Sequence, residues 1–137
     1  MIRLPLFAGL AALALATPAL AQDAVKGESE FKKCKACHAI VADDGTEIVK
    51  GGKVGPNLYG IVGRTVASEA DFKYSDSIAA VGASGLVWDE AELAAYMTDP
   101  KAWLVEKTGD AGAKTKMTFK LAKNQADVTA FLASAGQ

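Results

Sequence analysis

Two cysteines, one histidine and three methionines are all that this 137-residue chain offers to soft metals or to thiol chemistry. A disulfide framework needs several cysteine pairs, and one pair cannot build it. A single histidine excludes any site that requires two imidazoles. Charge of either sign is scarce in excess: 15 basic against 16 acidic residues leave a net charge of −1. That balance argues against a general affinity for nucleic acid, and no basic tract contradicts it. There is no internal repeat and no linker long enough to divide the chain.

Apolar runs long enough to cross a bilayer comfortably are also missing. The longest begins after Arg3 and extends from Leu4 through Leu15, interrupted by Pro5 and Gly9. Pro18-Ala19-Leu20-Ala21 follows, with small residues where a signal peptidase reads. A charged start, an apolar middle and an A-x-A end predict a cleaved secretory signal over 1–21 rather than a retained anchor. The mature chain then spans 22–137, which is 137 − 21 = 116 residues, with a charge of −2 once Arg3 is lost. That length suits one domain with one core. The expected location is the periplasm, an oxidising compartment.

What is present is concentrated. Both cysteines and the histidine fall in Cys34-Lys35-Ala36-Cys37-His38. C-x-x-C-H is the attachment sequence for c-type haem, in which two thiols bond the haem vinyl groups and the histidine binds iron. Residues three apart on a helical turn share a face, so both sulfurs reach one edge of the macrocycle. A thioredoxin-like pair expects a βαβ setting, which is not legible here. A structural zinc site wants four ligands, and the triad supplies three. A plain disulfide would close a very small loop and stabilise little.

An iron held by one histidine keeps an open position, and a thioether filling it favours electron transfer. Beyond the signal only Met97 and Met117 remain as candidates. Met97 falls in a predicted helix, where methionine is ordinarily a packing residue. Met117 follows a loop through Gly109 and Gly112, and a loop brings a side chain to a cofactor without giving up a helix face. Met117 is the favoured ligand.

The coarse reading is all-α, with several short helices and long loops wrapped around one covalently bound haem. Val25 to Lys35 forms a first helix, with Gly27 and Phe31 on one side. Ser75 caps a short helix through Ile78 and Val81. Asp89 and Glu92 have capping-box spacing for a helix that ends before Pro100. Asn124 caps a last helix carrying Val128, Phe131 and Leu132. Gly27 lets the terminal helices cross closely, with Phe31 against Val128 and Phe131. Val41 to Leu58 and Ala102 to Lys116 read as irregular, which a small domain tolerates when it has a cofactor to wrap.

From Gly27 to Leu132 the chain resembles the class I c-type cytochromes, and its long loops resemble the larger cytochromes c2 of bacteria. The family's motifs occur in order: Cys34 to His38, Gly55-Pro56-Asn57-Leu58, Gly63-Arg64, Phe72-Lys73-Tyr74-Ser75-Asp76, Trp88, Tyr96 with Pro100, and Thr115-Lys116-Met117. The resemblance implies a cytochrome c fold with haem c ligated by His38 and Met117. It implies that Pro56 offers its carbonyl to the His38 imidazole, orienting it. Arg64, Tyr74 and Trp88 match residues that hold the inner haem propionate. Tyr96 matches a tyrosine near the methionine sulfur, and Thr115 a threonine near the outer propionate. The chain departs from the family in lacking the usual proline before Thr115 and in carrying Ile78 where many members have asparagine.

Histidine–methionine ligation in a buried site implies a one-electron carrier rather than an enzyme. Charge is placed unevenly. Lys101 to Lys123 holds six lysines and two acids, a balance of +4, while Ser68 to Asp99 holds seven acids and one lysine, a balance of −6. Such a dipole steers a molecule towards acidic partners. By resemblance Lys32, Lys35, Lys53, Lys116 and Lys120 ring the haem edge. The partners so implied are a cytochrome bc1 complex as donor and a photosynthetic reaction centre or cytochrome oxidase as acceptor, in photosynthesis or respiration. Nucleic acid and membrane insertion are not expected, and a monomer is. Two rivals are a haem protein with an open distal site, binding gas or peroxide, and a haem-free thiol protein.

Overall fold

A computed structural model describes residues 22–137, and the expected signal segment, 1–21, lies outside the described residues. Among the described residues, five helices and one small hairpin appear in the order α1 (Ala24–Phe31), β1 (Ile40–Val41), β2 (Glu47–Val49), α2 (Asp76–Ala83), α3 (Glu90–Thr98), α4 (Pro100–Thr108) and α5 (Gln125–Ala135). The chain is therefore helical with little sheet, as its sequence implies.

Local chemistry explains most boundaries. Asp23 caps α1, its carboxylate accepting from the N–H groups of Val25 and Lys26. Capping satisfies donors that the first helical turn leaves orphaned. Asp89 does the same for α3, accepting from Glu92 N at 2.7 Å. Helix α1 stops at Phe31, short of the expected Lys35, and the chain continues to Cys37 as successive turns.

Two segments expected to be irregular are regular in part: the hairpin runs only to Val49 and α4 only to Thr108, and the rest of each is irregular as expected. Pro100 ends α3, because the residue before a proline avoids helical angles, but it also opens α4 as that helix's first residue, where its missing N–H costs nothing. Asp99 between them is extended and caps α4 by accepting from Ala102 N at 3.0 Å. The segment after Val41 forms an antiparallel hairpin pairing Ile40 with Val49 and Val41 with Glu47. Strands of two and three residues are too short to show alternation, so the sequence carries no pattern for them.

Two caps differ from expectation. Asn124 precedes α5 in a left-handed conformation and makes no side-chain cap bond. Ser75 precedes α2 and likewise makes none.

The core joins the chain's two ends. Helices α1 and α5 cross where Phe31 meets Phe131, their rings 5.5 Å apart. Phe31, Ile40, Leu104 and Val128 are fully buried around this crossing and the neighbouring helices. Further on, Trp88 stacks on Trp103 at 4.9 Å, and Tyr96 meets both edge-on. Trp103 donates its indole N–H to Glu92 at 2.7 Å, and Lys107 pairs with the other carboxylate oxygen at 2.6 Å. An aromatic wall is thus fixed on one side of a cavity.

Candidate functional site

Side chains enclose a cavity of about 460 Å³ whose lining is predominantly apolar. Close-packed interiors do not leave voids of that size, and the volume falls in the range of small-molecule and cofactor sites. Cys34, Cys37 and His38 line it, as do Met117, Tyr74, Trp88 and Tyr96.

The attachment turn builds one part of this lining. Cys34 N donates to Phe31 O and His38 N to Cys34 O, so helical spacing persists past the end of α1 and keeps the three residues together. Gly52 N and Gly55 N donate to the carbonyls of Lys35 and Cys37, tying the following loop onto the turn. His38 Nδ1 lies 2.8 Å from the Pro56 carbonyl. A carbonyl only accepts, so Nδ1 carries the proton and Nε2 keeps a free lone pair. Burial holds the imidazole below its usual pKa, with the Pro56 bond acting the other way. A neutral ring with one nitrogen anchored and the other free is the form that binds metal.

The same turn is poorly suited to thiol exchange. Burial pushes the Cys34 thiol up to about 11. Both cysteines follow the C-terminal end of α1, whereas helix N-termini activate thiols, and burial of Cys34 outweighs the lowering by the neighbouring Lys33 charge.

Of the two methionines, Met97 is buried within α3 and its carbonyl accepts from Leu121 N at 2.8 Å. It lines the cavity as a packed residue. Met117 lies on the loop between α4 and α5, half-buried, with its N–H donated to Thr115 Oγ1 at 3.1 Å. The Thr115 hydroxyl in turn donates to the Met117 carbonyl. Thr115 is not itself among the lining residues.

Arg64 also lies behind the lining. Its Nη1 donates to Tyr59 O and pairs with Glu69 at 3.1 Å, and its Nη2 donates to Asn57 O. Its Nε is buried without a partner among the described residues. Buried donors are nearly always satisfied, so this orphan calls for an acceptor that the chain does not supply. The Tyr74 hydroxyl accepts from Glu69 N at 3.3 Å. Burial pushes the Tyr74 and Tyr96 phenols above their ordinary pKa. Thiols, a free imidazole nitrogen, a thioether, an apolar enclosure and an unmatched arginine donor together fit a haem carrying carboxylates.

The cavity opens beside two exposed apolar residues, Val54 and Phe119, and beside Lys33 and Lys116. Lys32, Lys35, Lys53, Lys116 and Lys120 are all exposed. Lys120 pairs with Asp99 at 2.7 Å, and Lys116 donates to Lys73 O at 2.6 Å.

Several contributors have a role that the sequence does not assign. Asn57 accepts from Val41 N and donates to Val41 O, fastening the Gly55–Leu58 loop to the hairpin. Glu69 and Trp103 join the site only through tertiary contacts. Trp103 offered a signal, since it lies three residues beyond a helix-opening proline, at the position that faces a core.

No protein-family model matches the chain. Relatives do. The chain is 65% identical over 136 residues to cytochrome c-550 of Paracoccus versutus, covering 96% of this chain and 88% of that protein. It is 62% identical over 127 residues to cytochrome c2 of Rhodobacter capsulatus, covering 93% of each. The X-ray structure of ferric cytochrome c-550 from Paracoccus versutus superposes with a TM-score of 0.83 at 65% identity, over 85% of this chain and all of that one.

Proposed function

The chain belongs to the family of cytochromes c-550 and c2, and on that premise we propose that it is an exported, soluble one-electron shuttle of the periplasm. It is an electron-carrying haem protein and not an enzyme. In this reading Cys34 and Cys37 would hold haem c by thioether bonds, His38 Nε2 and Met117 would ligate its iron, and residues 1–21 would be the cleaved signal. The bound haem supplies a one-electron couple at its iron.

The chain's own residues account for the rest. Pro56 fixes the proton on His38 Nδ1 and so aims Nε2. Ile78, Trp88, Leu93 and Met97 are buried and exclude water from the cavity, which favours the reduced form and raises the potential. Arg64 Nε, Tyr74 and Trp88 offer donors towards an inner propionate, and Tyr96 and Thr115 stand near the Met117 loop. The apolar mouth at Val54 and Phe119, flanked by exposed lysines, supports docking edge-first on acidic partners. The partners proposed are a cytochrome bc1 complex as donor and a reaction centre or terminal oxidase as acceptor, with encounter rates that fall as salt screens the field.

The observation that carries this reading is one cavity lined by Cys34, Cys37, His38 and Met117 together. The test is the visible spectrum of the mature protein, exported with its haem-attachment machinery. A sharp low-spin ferrous spectrum is expected, with a weak far-red sulfur-to-iron band when oxidised that Met117→Ala abolishes. A high-spin spectrum shifting with carbon monoxide would overturn the carrier reading in favour of an open iron, and absence of haem colour would return the cysteines to thiol chemistry.

A further inference from the structure

Ser75 occupies the N-cap position of α2 and does not cap it. Serine is favoured there because its oxygen satisfies the first-turn N–H groups, and here that role is set aside. The Ser75 hydroxyl donates instead to the carbonyl of Lys114, 39 residues along the chain, at 3.1 Å. Two residues on, Ser77 Oγ accepts from the N–H of the same Lys114 at 2.8 Å. One residue of the loop thus has both backbone groups engaged by hydroxyls from one helix end, much as a neighbouring strand would engage them.

Lys114 immediately precedes Thr115-Lys116-Met117. Between Thr108 and Gln125 the chain has no helix or strand of its own, so hydrogen bonds from elsewhere must hold its course. Lys101 Nζ, donating to the carbonyls of Ala111 and Ala113, holds the segment before Lys114. The two serines hold Lys114 itself, three residues before the methionine.

We propose that Ser75 and Ser77 form a two-hydroxyl clasp on Lys114 that sets how firmly the Met117 thioether stays on the iron. Both act on the ligand through the loop backbone, Ser77 from outside the cavity and Ser75 from its lining. This inference rests on the ligation of Met117 proposed above. Both serines are only half-buried, so each bond changes the opening equilibrium by a modest factor, about two- to tenfold for an ordinary net hydrogen bond.

Imidazole is the probe. It binds the ferric holoprotein only where the thioether has left, so its apparent affinity scales with the open fraction. Ser77→Ala is expected to keep the far-red band yet bind imidazole about two- to tenfold more tightly. Ser77→Thr keeps the hydroxyl and is expected to bind as the parent does. Ser75→Ala reads the other half of the clasp and serves if Ser77→Ala yields no folded holoprotein. Parental imidazole affinity in both alanine variants, with the far-red band intact, would overturn the clasp while leaving Met117 as ligand. A parent protein lacking the far-red band would instead remove the ligand reading and the clasp with it. A merely structural role would lower the guanidinium midpoint of the alanine variants without changing imidazole affinity in its absence, and that result also counts against the clasp.

Discussion

Gly27 of α1 lies directly against Asp127 of α5: a Cβ on Gly27 would stand 1.9 Å from the Asp127 carbonyl oxygen and 2.9 Å from the Phe131 Cβ. The first and last helices therefore cross at backbone contact, and the Phe31–Phe131 pair closes beside them. Gly27→Ala has no flexible atom to push aside, so the helices must separate. A loss of about 3 kcal/mol is expected, the upper part of the usual overpacking range. Guanidinium unfolding of the holoprotein measures it. Gly112→Ala is the control, since its new Cβ would meet only the Asp110 side chain, at 3.1 Å. Equal midpoints for the two variants would contradict the crossing.

The same Asp127 carries a pH dependence. Asp23 N donates to its Oδ1 at 2.9 Å, and Lys26 Nζ lies 2.9 Å from its Oδ2. The Asp23 bond first, and Lys26 next, hold this carboxyl below its usual pKa. A carboxyl depressed in the folded state stabilises it fully above the unfolded value, about 3.9, and that stabilisation fades as pH falls through the folded value. Asp127→Asn should thus be less stable than the parent at neutral pH, with the gap narrowing below about pH 4. Unfolding curves recorded from pH 7 downwards check this. A gap that stays constant through the acid range would show that the carboxylate charge contributes nothing.

Gly55 makes a close approach of its own, to the His38 ring. A Cβ there would stand 2.3 Å from His38 Cε1 and 2.6 Å from Nδ1. Gly55→Ala must turn the imidazole or lengthen its bond to Pro56. In the haem-loaded variant the expected outcome is a loss of the pure low-spin spectrum, or a potential displaced from the parent's, because an outer partner sets ligand orientation and basicity. Metal sites of this kind lose about 10- to 100-fold in affinity or activity when such a partner is disturbed. A variant with the parent's spectrum and potential would mean that the loop yields and the Pro56 bond is not a constraint.

The lysine-rich docking face proposed above is less uniform in its pairing than a count of charges implies. Among the five exposed lysines assigned to it, Lys120 is held by Asp99 and Lys116 by the Lys73 carbonyl. Lys33, which lines the cavity mouth, is held by Glu30. Alternating acids and bases in a sequence say nothing of which pairs will close.

What the sequence determined by itself is everything that covalent spacing sets. Cys34, Cys37 and His38 lie within five residues, so any helical turn gathers them. The periodicity of the terminal helices and the Asp89 cap are equally local, and they were legible for that reason. The shortage of ligands mattered as much, since one histidine and two methionines after residue 21 leave few possible sites. Tertiary structure decided what depends on residues far apart in the chain. It set Trp103 against Trp88 and gave its indole to Glu92. It turned Ser75 from its own helix to Lys114, and it made Pro100 a helix start as well as a stop. A side chain with two possible hydrogen-bond partners chooses between them by where the backbone of a distant segment passes, and no local pattern records that path.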